Sequence, residues 1–407
     1  MLRLIALSVL MAGLLPGLAV AQQTRAELLE QQRAARAGEL HPYQPGKIEK
    51  ALLYIDEKRL IERWGQRANG PYPIIGDFTT GSGLALGIGY RHTLPGTGRM
   101  LEFDTSVIGS TRAYKAVNVE VLAPRLFGGV LELQGATRWW DYTQEDFFGL
   151  GESSRSDRAD YRYEAFTANG SARINVTPWF SFGEEFGYLR PIIREGTDDR
   201  FPSVEEQFTD EEAPGLTRQP RLVYTRTFVD FDYRDQPGNT RAGGRVLLQV
   251  GTGRDQDPSR EFSYRRTDLE LLHVFPIFDK KRNFAVRFSA SHVDPLNGGG
   301  RVPFFLSPTI GGNKTVRSYR ALRFRDATYV LFNAEYRWEA FSGLDLALFW
   351  DGGDVGTVLE QIRLDEFKTG WGFGLRFNTN KNVLMRIDVG LGGPEGARLF
   401  WKFSPVF

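Results

Sequence analysis

Residues 224–234 read YTRTFVDFDYR. Arg226, Asp230, Asp232 and Arg234 share one parity, while Thr225, Thr227, Val229, Phe231 and Tyr233 share the other. Alternate residues of a strand point to opposite faces, so this segment has a charged side and a largely apolar side. A soluble core does not face charges so regularly. A strand whose one face meets lipid and whose other face meets a polar lumen does.

The same period of two extends outward from this segment, back to Pro71 and forward to Phe407. In GSGLALGIGY, residues 81–90, Leu84, Leu86, Ile88 and Tyr90 alternate with Gly83, Ala85, Gly87 and Gly89. Alternation alone also suits a sandwich, but the connections do not. Brief turns at 175–179, 235–239, 278–283 and 341–343 are separated by long polar stretches, as in barrels with short periplasmic turns and longer outer loops. Aromatic residues gather at segment ends, including Trp139, Trp140, Phe147, Phe148, Trp179, Trp338 and Trp350, where interfacial girdles form.

The pattern predicts an all-β fold: a transmembrane antiparallel β-barrel of about sixteen strands over residues 71–407, with both termini periplasmic. The segments fall at 71–78, 79–93, 100–110, 113–123, 129–142, 158–176, 179–194 and 219–235. The remaining eight fall at 240–254, 259–275, 283–295, 326–340, 344–355, 368–377, 382–393 and 397–407. Upstream, Arg3, the apolar run 4–15, the Pro16-Gly17 break and Ala19-Val20-Ala21 read as a secretory signal peptide over residues 1–21. Residues 22–70 are of helical type, with Ile48, Leu52, Ile55, Leu60 and Trp64 forming a stripe, and read as a periplasmic or plug segment. Nothing beyond Ala21 reaches the ~18 apolar residues of a spanning helix.

Composition narrows the function. Lys+Arg number 51 against 50 Asp+Glu, which gives no long-range field for nucleic acid. Zero Cys removes disulfides and thiolate chemistry. The four histidines are His41, His92, His273 and His292, with no nucleophile elbow, zinc helix or phosphate loop. Ser291 and His292 would face opposite sides of a strand. The sequence therefore implies no catalytic residues, no cofactor and no metal site. Asp351-Gly-Gly-Asp354 offers two carboxylates where calcium takes six or more oxygens. The acidic stretch 198–212 reads as a solvated outer loop, with divalent bridging to lipopolysaccharide as its other reading.

GGNKTVRSYRALRFRD at 311–326 lies in a long outer connection and is followed by FNAEYRW at 332–338 and LFWDGGDVG at 348–356. GWGFGLRFNT at 370–379, VLMRIDVGLG at 383–392 and terminal Phe407 continue the series. Weaker matches are FFGLGESS at 147–154 and DYRDQPGNTRAGG at 232–244. As an ordered set these closely resemble the BamA/TamA-type outer-membrane assembly superfamily, also called the bacterial surface antigen family, which includes two-partner-secretion transporters. The resemblance covers most of the barrel and none of residues 22–70.

The resemblance implies that the long loop before strand twelve folds back into the lumen. Its tip is then Val316, Arg317, Ser318 and Tyr319, and Arg317 meets Glu335 and Asp351 on the inner wall. The physics agrees, since a guanidinium in a partly desolvated lumen needs paired carboxylates. The family motif usually has Gly after the arginine. If that position needs a positive φ, Ser318 should carry strain. A second departure lies upstream: the 49 residues of 22–70 are too few and too helical for a polypeptide-transport-associated domain, so substrate delivery by that route is in doubt.

The leading expectation is a barrel that assists insertion of proteins into the outer membrane, or translocation of polypeptides across it, through a weak seam between its first and last strands. Pro71 and Pro73 remove ladder donors from the first strand, Pro405 removes one from the last, and Phe407 ends it. Expected partners are outer-membrane lipid and lipopolysaccharide, an unfolded polypeptide substrate and a periplasmic accessory protein. The alternative is a structural or passive channel protein whose folded-back loop lines the lumen.

Overall fold

The structure is a computed structural model that describes residues 69–76, 78–79, 81–94, 100–151, 158–379, 381–403 and 405–406. The signal-peptide and helical readings of residues 1–68, and Phe407, lie outside the described residues.

One antiparallel sheet of sixteen strands makes the wall. Its first half is β1 (Gly70–Gly76), β2 (Ala85–Leu94), β3 (Leu101–Ser110), β4 (Lys115–Leu126), β5 (Leu131–Phe147), β6 (Ala159–Thr177), β7 (Phe180–Glu195) and β8 (Leu222–Asp232). The second half is β9 (Gly243–Asp255), β10 (Tyr264–Ile277), β11 (Arg282–Pro295), β14 (Thr328–Phe341), β15 (Leu344–Gly356), β16 (Lys368–Asn378), β17 (Val383–Leu391) and β18 (Arg398–Lys402). Between β11 and β14 the chain makes a separate two-stranded hairpin, β12 (Thr309–Ile310) with β13 (Phe324–Arg325). Every wall strand pairs with its sequence neighbour, as an up-and-down barrel requires.

The two faces separate as the period of two dictates. On β2, Leu86 and Ile88 are 56% and 62% exposed and belong to an outward apolar band with Phe186, Leu348, Trp350, Trp371 and Phe373. Their parity partners point inward, where Gly89 leaves the space that the Tyr72 ring fills. The lumen is laced with charge. Asp230 accepts from Arg173 at 3.1 Å and Arg245 at 2.8 Å, and Arg162 grips Asp141 through two 2.7 Å bonds. Such an inside-out distribution suits a wall with lipid on one side and polar groups on the other.

Short turns close one end and long loops the other. The acidic stretch 198–212 keeps Asp199, Glu205, Glu206, Glu211 and Glu212 exposed, as a solvated loop does, while Val204 and Phe208, with Ala213 and Leu216 beyond it, bury against Phe147, Tyr161, Ile193 and Phe304. Asp198 binds Arg200 at 2.7 Å and Asp210 binds Arg301 at 2.8 Å. No group of three metal-ligating side chains occurs among the described residues. The loops between β7 and β8 and after β11 therefore form a cap with an apolar core of its own.

Most boundaries fall within three residues of the sequence pattern; β5 runs on to Phe147, five residues past its expected end, and β10 begins at Tyr264, five residues after its expected start, and β2 and β18 also differ. β2 begins at Ala85 because Gly81 and Gly83 adopt φ of 98° and 78°, which belong to a turn. β18 stops at Lys402, so Pro405 follows the last strand and removes no donor from within it.

Candidate functional site

The loop between β11 and β14 turns back through Gly311 and Gly312, whose φ values of 107° and 96° exclude larger residues. A Cβ on Gly311 would also strike the Arg320 carbonyl. The tip is held by its own backbone: Gly312 N–H donates to the Tyr319 carbonyl at 3.1 Å and Gly311 N–H to Thr315 Oγ1 at 2.8 Å. Val316 and Tyr319 then bury against Ile310, Phe324, Leu331 and Val355, which wedges the hairpin onto β14 and β15.

This seating delivers Arg317 to the wall with no exposed surface. Its Nε donates to Asp351 Oδ2 at 2.8 Å and its Nη2 to Asp351 Oδ1 at 2.8 Å, the bidentate fork that a planar guanidinium makes with a carboxylate. Its backbone N–H adds a third bond to Asp351 at 3.0 Å. Nη1 reaches Glu335 Oε2 at 2.7 Å. The guanidinium carbon sits 3.4 Å from the centre of the Phe349 ring, so an aromatic face completes the enclosure. Burial alone would favour the neutral guanidine, but Asp351 and then Glu335 outweigh it, and the Arg317 pKa is driven above the ordinary arginine value.

The cluster is larger than these three residues. Glu335 also accepts from Arg337 Nε at 2.6 Å and Arg376 Nη2 at 2.9 Å. Asp388 lies 2.6 Å from Arg376 Nη1 and binds Arg386. Arg386 in turn donates to the Asn313 carbonyl at 2.9 Å, and Asn333 bridges Asp351 and the Thr315 carbonyl at 2.8 Å each. The wall thus contributes Arg337, Arg376, Arg386 and Asp388 in addition, all at most 4% exposed. Their signal is in the sequence, because Glu335 and Arg337 share a parity on β14, and Arg386 and Asp388 share one on β17.

Glycines make room for the tip. A Cβ on Gly390 would strike the Arg317 carbonyl, and one on Gly370 would strike the Ser318 side chain. Ser318 is absent from the residues with positive φ, so it carries no left-handed strain. Its Oγ instead lies 3.3 Å from the Thr369 carbonyl, in the space that Gly370 vacates.

Two other groups singled out from sequence do not converge. Ser291 donates to Asp268 at 2.6 Å while His292 meets Thr328 at 2.7 Å, so serine and histidine are not brought together. Asp354 is held by Lys368 at 2.7 Å.

The seam lies where the strand order ends. β1 pairs with β2 and β18 with β17, and no ladder joins β1 to β18 among the described residues. Pro71 and Pro73 sit two residues apart and present their nitrogens to one edge, while the register with β2 runs unbroken from Gly70 to Gly76. Their missing N–H groups therefore belong to the open edge, where proline is tolerated. β18 offers five residues, against ten for β2. At the long-loop end the gap widens into a cleft of about 420 Å³ between Gly76, Leu84 and Leu399–Phe403.

A sixteen-strand wall, a lumen-seated arginine loop and an unsealed seam accompany a match of residues 96–398 to the Omp85 superfamily domain. The chain belongs to the Omp85 superfamily. Among solved structures it is similar to BamA from Haemophilus ducreyi lacking POTRA domains 1–3, at 15% identity and a TM-score of 0.60, over 83% of this chain and 70% of that one. It is also similar to CdiB from Acinetobacter baumannii, at 14% identity and a TM-score of 0.51, over 83% of this chain and 59% of that one. The chain thus spans about three fifths of the CdiB length. No curated protein matches it. At such identities these likenesses concern the fold.

Proposed function

We propose that this Omp85-superfamily barrel resides in the outer membrane of a Gram-negative bacterium and assists the insertion of polypeptides into that membrane, or their passage across it. The observation that carries the reading is the open edge between β1 and β18. A closed barrel would satisfy every backbone group in lipid, and leaving two edges unpaired in hydrocarbon costs several kcal/mol per group unless another strand can use them. An incoming strand can pair with such an edge by β-augmentation. The anchored loop has a matching role. By tying the hairpin to β14, β15 and, through Asn313, to β17, it braces the half of the wall that leads to the seam, so that opening is confined to β1 and β18.

The signal-peptide reading of residues 1–21, the segment 22–70 and the periplasmic placement of both termini belong to the same proposal. A periplasmic accessory protein would deliver substrate.

The test is reconstitution of the full chain in liposomes, with protease-protected folding of an added unfolded outer-membrane protein as readout. Wild type accelerates folding and Arg317→Ala removes the acceleration. An unaccelerated reaction with wild type overturns the reading.

A second reading, a passive channel, rests on a lumen cavity of about 520 Å³ lined by Tyr163, Tyr224, Tyr264, Arg226, Arg266 and Glu270. Steady small-ion conductance in planar bilayers without polypeptide, alongside no folding activity, would select it.

A further inference from the structure

Two cavities adjoin at the long-loop end of the seam. The first is the apolar cleft of about 420 Å³, where Leu399 and Trp401 are 72% and 61% exposed on the membrane side. The second, about 350 Å³, is lined by Arg112, Arg158, Arg200, Arg320 and Arg398, with Asp146 in its wall. They share Gly81, Arg112, Leu399 and Phe400, so one opens beside the other.

The basic cavity is short of negative charge. Asp146 pairs with Arg158 at 2.7 Å, Asp198 with Arg200 at 2.7 Å, and Glu395 with Arg398 at 2.9 Å and, more loosely, with Arg320 at 3.8 Å. Three carboxylates thus face five guanidinium groups. Arg112, which stands at the junction of the two cavities, has no ion pair among the described residues. The Nε of Arg398 is buried without a hydrogen-bond partner. A buried donor on a charged group left in this state is unfavourable by itself, and the same guanidinium lines the basic cavity.

We propose that these joined cavities hold a phosphorylated lipid of the outer leaflet, with its phosphate among the arginines and an acyl chain in the cleft beside Leu399 and Trp401. Guanidinium forks match phosphate oxygens in pairs, and the apolar cleft faces the side on which acyl chains lie. A free anion would need only the basic cavity, and an acidic peptide would have no use for the membrane-side opening. It is the continuity of the two cavities that selects a lipid. The proposal rests on the reading of the chain as a membrane barrel and is independent of assembly activity. Its test uses no polypeptide substrate.

The full chain in detergent is titrated with diphosphorylated lipid A, with the same lipid stripped of phosphate, and with inorganic phosphate as competitor, and bound lipid is counted by native mass spectrometry. Heat-dependent electrophoretic mobility verifies that each variant is folded. Wild type is expected to prefer the phosphorylated lipid about tenfold or more. Arg112→Gln with Arg398→Gln should abolish that preference, Leu399→Ser with Trp401→Ser should weaken both lipids alike, and Arg265→Gln should change nothing. Equal binding of the two lipids by wild type overturns the proposal, as does a preference that survives the double arginine change or is lost equally in Arg265→Gln. Inorganic phosphate displacing the lipid at comparable concentration would make this a free-anion site and overturn it too.

Discussion

Ser318 Oγ occupies the space that a side chain on Gly370 would fill, 3.3 Å from the Thr369 carbonyl. One residue away, the Arg317 carbonyl excludes any Cβ from Gly390. The loop tip is therefore read by two glycines on the wall as well as by the carboxylates. A Gly370→Ala change is expected to lift the tip and destabilise the folded barrel by about 1–3 kcal/mol, as overpacking does. Limited proteolysis between residues 313 and 322 should become faster. Ser318→Gly should leave both readouts within about 0.5 kcal/mol of wild type, since no left-handed φ has to be relieved.

The fork from Arg317 to Asp351 is buried on both sides. Removing one partner strands a charge, at a cost of about 3–5 kcal/mol, whereas apolar replacement of a whole pair is far milder. Arg317→Met and Asp351→Leu are each expected to lower the urea midpoint of the reconstituted barrel strongly. The double change should be less unstable than the sum, with a coupling of about 1.5–3 kcal/mol. Strict additivity would mean that the pair does not act as a unit.

The loop cap should respond to acid. Hydrogen bonds from Arg301 and then Arg218 hold the Glu261 carboxyl below its ordinary 4.5. For a group whose folded pKa is depressed, the stabilisation is present above the unfolded value and is lost as pH falls through the folded one. The hydrogen-exchange protection factors of residues 204–216, corrected for intrinsic exchange at each pH, are expected to be flat from about pH 8 to pH 5 and to fall below about pH 4. The effect should be modest and shrink with salt, because Glu261 and Arg301 are about one-third exposed. Arg301→Gln should remove most of the pH dependence.

The wall was legible because a period of two survives in any strand with unlike faces. The parity of residues 224–234 separates Asp230, 4% exposed, from Tyr233, 49% exposed. The loop motif is legible only as an ordered set, and the parities of Arg376 and Arg386 place them on the lumen side without showing that Glu335 from β14 and Asp388 from β17 meet Arg376 there. The cap was not legible. Val204 and Phe208 precede Phe304 by 96 residues or more, share no period with it, and join it only through tertiary packing. The carboxylates around Phe208 are exposed, as their composition implies, but that composition hides the apolar residues between them, and Asp198 and Asp210 pair with Arg200 and Arg301.

The edge prolines give a graded test. Pro71→Ser with Pro73→Ser restores two N–H donors to the open edge of β1. A tighter seam should follow, with folding activity reduced several-fold and the thermal midpoint unchanged or raised, as read by parallel liposome assays and heat-dependent mobility.

The most direct measurement locks the seam. The chain has no Cys, so Gly76→Cys and Leu399→Cys, which border the same cleft, can be joined by a short thiol crosslinker without competing reactions. Folding of an added outer-membrane protein is then timed before and after reduction with a cleavable linker. A seam that works by opening loses its acceleration when locked and regains it when released. An undiminished rate in the locked barrel contradicts that role.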